Sequence, residues 1–194
     1  MNDHELKEFY NKGILAFEKQ NYDYAIEIFS QILSSKYDHL EARHFLHLSL
    51  QRSIGTMPPS IITNIINYIN SFLLSMKAEG LLKKGDTEAG LETFEKIISS
   101  NPSDISILKK IAGVFYKANL INHAISNLEE AKSINPKDID TLKKLGELYL
   151  KKEDYLNAKS NYESALKINP NDPDARHSLK NLDALGTIKR EFST

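Results

Sequence analysis

Two histidines three residues apart on one helix face can share a metal ion, and this chain has such a pair in His44 and His47, with His39 and Glu41 nearby. No fourth ligand is evident and the other histidines are remote, so surface or packing roles are expected and no metal site. Gly80, Gly85 and Gly90 are scattered and follow no strand, which gives no phosphate-cradling loop. No Ser, His and Asp set has the strand–turn setting that exposes a nucleophile. Glu129 and Glu130 are read as a solvated helix face. The chain has no cysteine, which excludes disulfides, thiolate nucleophiles and Cys-ligated zinc. No catalytic residue and no cofactor are therefore expected. The remaining reactive groups are lysines at a fixed spacing: Lys109 with Lys143, Lys110 with Lys144, and Lys117 with Lys151.

Much of the chain obeys the spacing that separates the two lysines of each pair. Asn101-Pro102, Asn135-Pro136 and Asn169-Pro170 repeat at this period. Between them Leu108 matches Leu142, Ile111 matches Leu145, Ala112 matches Gly146 and Phe115 matches Tyr149. Further on, Ala124 matches Ala158, Leu128 matches Tyr162 and Ala131 matches Ala165, while Asp104, Asp138 and Asp172 each follow a Pro by two. The pattern describes a pair of helices. An Asp caps the first by accepting a backbone N–H. Apolar residues at i, i+3, i+4 and i+7 give it one buried face, and a turn such as Lys152-Glu153-Asp154 leads into the second. Small residues let the two helices approach, aromatics fill the space beside them, and Asn-Pro ends the pair, because the residue before Pro avoids the α region.

In these residues the sequence resembles the tetratricopeptide-repeat family, whose helix–turn–helix units of about 34 residues carry large, small and aromatic residues in this order. The match covers 105–138 and 139–172, then 71–104 through Leu74, Ala78, Leu81, Phe94 and Pro102. In that unit Gly90 stands where Ala is usual and Lys77 where an apolar residue is usual. A further unit at 6–39 shows Phe9, Gly13, Tyr22, Ala25, Phe29 and Ile32, with Tyr37 in place of the closing Pro. The resemblance implies an all-α helical solenoid, a right-handed superhelix of antiparallel helix pairs with about ten helices. Its parts are an N-terminal unit at 1–39, a degenerate unit and junction at 40–70, three consecutive units at 71–171, and a capping helix and tail at 172–194. The closing LKNLDALGTIKREF also resembles the ends of bacterial repeat proteins, so a bacterial source is expected.

Residues 54–84 break the pattern. Leu40 to Ser53 reads as a first helix, but His47 falls where a small residue belongs, and Gly55-Thr56-Met57-Pro58-Pro59 interrupts the chain. From Ile61 to Lys84 there is no Pro, turn cluster or cap, so the segment is either one long helix or two that meet near Asn70-Ser71. It is rich in Ile, Phe and Leu, yet Asn64, Asn67, Asn70, Lys77 and Glu79 interrupt it, and no membrane insertion is expected. Burial on two sides is the first reading. The second is an association surface on Ile61, Ile65, Ile69 and Phe72 within the apolar 57–76 segment, through which the chain forms a homodimer or joins an assembly.

The balance of 25 Lys and Arg against 26 Asp and Glu argues against nucleic-acid binding. The N-terminus has no apolar signal-peptide core, and with the absence of cysteine this leads to the expectation of a cytoplasmic protein. The resemblance implies a non-catalytic adaptor or scaffold that holds a protein segment in a concave groove lined by first helices. A secretion-type chaperone is a variant of that function, and a structural subunit is the alternative. The groove residues expected are Phe72, Met76, Lys83, Lys109, Lys110, Tyr116, Lys117, Lys143, Lys144 and Lys151. Within its own helix Glu147 can pair with Lys143 or Lys151, and Glu79 with Lys83, whereas Gly113 leaves Lys109, Lys110 and Lys117 without an acid four residues away. The expected partner is an acidic peptide with an apolar anchor. Repeats that grip chaperone C-termini use Asn at groove positions, where this chain has Ile14, Met76, Lys110 and Lys144, so that clamp is not expected.

Overall fold

The computed structural model describes the backbone of residues 3–54 and 61–191 and the side chains of 3–53 and 70–184. Ten α-helices and no strand occur among the described residues: α1 (Asp3–Glu18), α2 (Tyr22–Ser35), α3 (Leu40–Ile54), α4 (Ile61–Lys83), α5 (Thr87–Ser100), α6 (Ile105–Lys117), α7 (Ile121–Ile134), α8 (Ile139–Lys151), α9 (Tyr155–Ile168) and α10 (Pro173–Glu191). They fall into two compact units, 1–114 and 115–194. In the first, α1 packs on α2, α3 packs on α1, α2 and α5, and α4 packs on α5. In the second, α8 lies against α7 and α9, and α10 covers α9.

The hairpins share one turn chemistry. Gln20, Gly85, Asn119 and Glu153 take positive φ between the two helices of a pair. The last three of these follow one another at the repeat period. The following residue caps the second helix where it can: Asn21 accepts from the Tyr24 N–H at 3.4 Å, Asp86 from Ala89 at 3.2 Å and Asp154 from Asn157 at 3.1 Å. Leu120 holds this place before α7 and makes no side-chain cap. The expected caps of the first helices are present at Asp104, which accepts from Ile107 at 3.2 Å, and at Asp172, which accepts from Ala175 at 2.9 Å. Asp138 departs from the expectation. Its carboxylate takes the Thr141 hydroxyl at 2.6 Å rather than a backbone N–H. Before α3 the cap is His39, whose Nδ1 accepts from the Ala42 N–H at 3.2 Å.

Close approach explains the small residues. A Cβ built on Gly146 would lie 2.6 Å from the Tyr162 ring, and one on Gly13 would lie 2.6 Å from Phe29. Each glycine thus lets the aromatic of the following helix reach its backbone. Tyr162 packs with Leu142, Ala158, Ala165, Ala175 and Leu182 in the core of the second unit. Phe29, Phe94, Ile97, Leu108 and Ile111 are fully buried in the first. Each such large apolar side chain contributes about 1.5–3 kcal/mol.

The irregular stretch resolves in favour of a single helix. α4 has 23 residues against 13 in α6 and in α8. In the repeat register Ser71–Lys83 matches Ile105–Lys117 and Ile139–Lys151, so α4 is a first helix extended at its N-terminus by Ile61–Asn70. At 1.5 Å per residue it is about 35 Å long.

Candidate functional site

The exposed side of each first helix follows one rule: residues four, three and four apart point away from the buried face. On α4 these are Phe72, Met76, Glu79 and Lys83, all exposed. On α6 they are Ser106, Lys110, Gly113 and Lys117, and on α8 Asp140, Lys144, Glu147 and Lys151, again exposed. Lys109 and Lys143 lie at the edge and are half-buried.

In the first unit, Phe72, Leu73 and Met76 put three large apolar side chains in water on neighbouring positions of α4, at 58%, 58% and 59% exposure. Isolated exposed apolar residues are normal, but three together form a patch suited to an apolar anchor. One turn further on, Lys110 donates to Ser75 Oγ at 2.5 Å and to Glu79 Oε1 at 2.7 Å. Lys110 has no acid four residues away along α6, yet it is not unpaired. Its acid sits on the neighbouring first helix, where counting along one helix could not find it. The Lys110 hydrogen bond, with its charge, holds the Glu79 carboxyl below the usual carboxylate range. Ile61, Ile65 and Ile69 of the expected association surface lie outside the described side chains, and 55–60 lie outside the described backbone.

In the second unit the lysines are also engaged. Lys143 bridges Asp174 at 2.7 Å and Asp172 at 3.3 Å, and the Asp174 bond does most to raise its pKa. Asp172 is lowered, first by the Ala175 N–H and then by Lys143. Lys144 pairs with Asp140 at 3.0 Å along α8. Lys151 lies over the Tyr116 ring, 4.2 Å from its centre, and donates to the Tyr116 hydroxyl. Lys117 is exposed. Behind this face Tyr149 donates to Glu129 at 3.1 Å, and burial first, then the Glu129 charge, push its pKa up to about 12.

The histidine pair is not arranged as a metal site. His44 is exposed with its ring edge-on to Phe45, while His47 is buried with Nε2 2.8 Å from Glu95 Oε2. Arg43, buried as deeply, pairs with the same carboxylate and donates to the Tyr37 carbonyl at 2.5 Å. Among the described residues no group of three His, Cys, Asp or Glu could hold a metal, and no helix is long and apolar enough to cross a membrane. The Arg43–Glu95–His47 cluster was not foreseen. Its one sequence signal is His47 in the small-residue position.

A tetratricopeptide-repeat family model matches residues 141–172. No curated protein matches the sequence. The fold is similar to the P58(IPK) TPR domain, with TM-score 0.58, 15% identity and coverage of 96% of this chain and 57% of that one. It is also similar to the first TPR of Spaghetti (RPAP3) bound to the HSP90 peptide SRMEEVD, with TM-score 0.54, 18% identity and coverage of 61% and 94%. The second TPR domain of human RPAP3, in complex with the HSP70 peptide SGPTIEEVD, gives TM-score 0.53 at 15% identity and covers 60% and 98%. Residues 141–172 are thus a tetratricopeptide repeat, and the ten helices among the described residues have the all-α fold of such repeats.

Proposed function

We propose that the chain is a non-catalytic protein-interaction module that takes an acidic peptide segment with an apolar anchor on its first-helix faces. The observation that carries this reading is the Phe72, Leu73 and Met76 patch beside Lys110. The anchor supplies most of the affinity, because exposed charge pairs contribute only about 0–1 kcal/mol each. Lysines of the same unit, Lys83 on α4 and Lys110 beside the patch, set the sign of the partner and its rate of approach. Since Lys110 already has Glu79, an acidic ligand there must compete with that carboxylate, which makes the anchor still more important. Peptides on tetratricopeptide-repeat neighbours, SRMEEVD and SGPTIEEVD, combine carboxylates with Met or Ile. Ile14, Lys110 and Lys144 in place of Asn argue for recognition that does not depend on a C-terminal carboxylate.

Fluorescence anisotropy with labelled SRMEEVD, its C-terminal amide and a Met-to-Ser version tests this. The free and amidated peptides should bind alike, the Ser version at least tenfold more weakly, and Phe72→Glu with Met76→Glu should abolish binding with helicity unchanged. Equal binding of the Met and Ser versions sinks the anchor reading. The same patch supports self-association as a second reading. Light scattering that reports a dimer lost in the Phe72→Glu, Met76→Glu protein would favour it.

A further inference from the structure

The third helix is followed by another first helix and not by a second helix of its own. In regular pairs the second helix has 14 residues, as in α2, α5, α7 and α9. Only residues 55–60 separate α3 from α4, and α4 pairs with α5. The side chain at the contact position agrees. Gly13 and Gly146 admit Phe29 and Tyr162 at distances that no Cβ would allow, whereas α3 has His47 at this place, one repeat period after Gly13. His47 turns to Glu95 of α5 instead, and Arg43 pairs with the same carboxylate. The result is a slot of about 320 Å³ between α2 and α5, with Arg43 and Leu46 of α3 among its walls.

The slot has a definite chemistry. Leu33, Leu46 and Leu91 make its apolar lining, and Ser30, Ser34 and Ser99 keep the sides low enough for a backbone to come close. On α5 the lining runs from Glu88 to Ser99, about 16 Å at 1.5 Å per residue, which is three helical turns. The charge is one-sided. Glu88, Glu92 and Glu95 all stand on α5, while α2 contributes Ser30, Leu33 and Ser34. Glu95 is taken by Arg43 and His47, and Glu92 by Lys96 at 2.9 Å, so the three carboxylates exceed the two cations of the lining by one.

We propose that this slot docks a helix from a partner protein, about three turns long, with an apolar stripe and Lys or Arg along the edge that meets α5. The partner helix takes the place of the second helix that α3 lacks. Its charge is opposite to that of the segment assigned to the α4 patch, so the two sites select different ligands.

The probe is a synthetic helical peptide, as long as the regular second helices, with Leu at i, i+3 and i+7 and Lys along one edge, compared with a twin carrying Glu in place of Lys. Anisotropy should show the Lys peptide binding at least tenfold more tightly than its twin. Glu88→Lys with Glu92→Lys should reverse that preference, and Ser34→Trp, which fills the slot, should weaken the Lys peptide at least tenfold. Phe72→Glu with Met76→Glu should leave its binding unchanged, which separates this result from failure of the α4 reading. Circular dichroism checks that each variant keeps its helicity. The proposal is overturned if the twins bind alike or if neither the charge reversal nor Ser34→Trp changes the affinity. A dimer in light scattering that Ser34→Trp dissolves also overturns it, because a second copy would then occupy the slot.

Discussion

Replacing Gly146 by Ala puts a methyl carbon 2.6, 2.7 and 2.9 Å from three carbons of the Tyr162 ring. Ordinary contact begins near 3.4 Å, so the ring or the helix must move by about half an ångström or more. Tyr162 cannot give way easily, being 2% exposed among Leu142, Ala158 and Leu182. Overpacking of this kind costs about 1–3 kcal/mol. Ala favours a helix over Gly by about 1 kcal/mol, so the net effect is a loss of up to about 2 kcal/mol. Gly113 gives the opposite case within the same register. A Cβ there meets nothing within 4 Å, and only the propensity gain of about 1 kcal/mol remains. For a chain of this size about 1 kcal/mol moves Tm by about 2–4 °C. Thermal unfolding followed by far-ultraviolet circular dichroism should therefore place Gly113→Ala above the parent and Gly146→Ala below it. If Gly146→Ala raises Tm as much as Gly113→Ala, the close-packing account of the small residues is wrong.

Asp86→Ala removes the acceptor for the Ala89 N–H and should cost about 1 kcal/mol in urea unfolding, whereas Asp86→Asn should be nearly neutral. Arg43→Ala leaves Glu95 short of its buried partner and should cost about 3–5 kcal/mol; a loss below about 1 kcal/mol would show that the pair does not hold α3 to α5. Tyr149 has a folded pKa of about 12 against 10 for a free phenol, so its contribution is intact below pH 10 and lost as pH rises through about 12. Ultraviolet absorbance of the phenolate should show a group that titrates near pH 12, absent in Tyr149→Phe.

The repeat was legible because the period is carried by residues with local consequences. Pro102, Pro136 and Pro170 end helices, Asp104 and Asp172 begin them, and Gly146 with Tyr162 fixes how closely they pack. The exposed faces were legible for the same reason, since helical spacing decides which side Phe72 and Met76 occupy once Ala78 is known to be buried. The charge pairs were not. Lys110 meets Glu79 across two helices, 31 residues away, and Glu95 meets His47 across 48, and neither separation equals the period. The left-handed turn residues were also hidden, because Gln20, Asn119 and Glu153 have no type in common and only Gly85 announces the geometry.

The irregular unit has one economical physical cause. Residues 40–70 fall short of a full repeat, and the place that Pro102 holds in the next unit is held here by Tyr68. Without that Pro no backbone N–H is missing and nothing excludes the preceding residue from the α region, so the helix that should have closed runs on into the next. Asn70 then lies inside α4 at the register position where Asp104 and Asp172 cap. Fusing the two helices removes the second helix of the unit and leaves that side of α3 to be covered by α5. A Gly or Ala at position 47 would put only a small side chain toward that side. His47, with Arg43 one turn before it, instead reaches across to Glu95 and fastens α3 to α5. The missing proline and the misplaced histidine are thus two halves of one arrangement, and the slot between α2 and α5 is its geometric consequence.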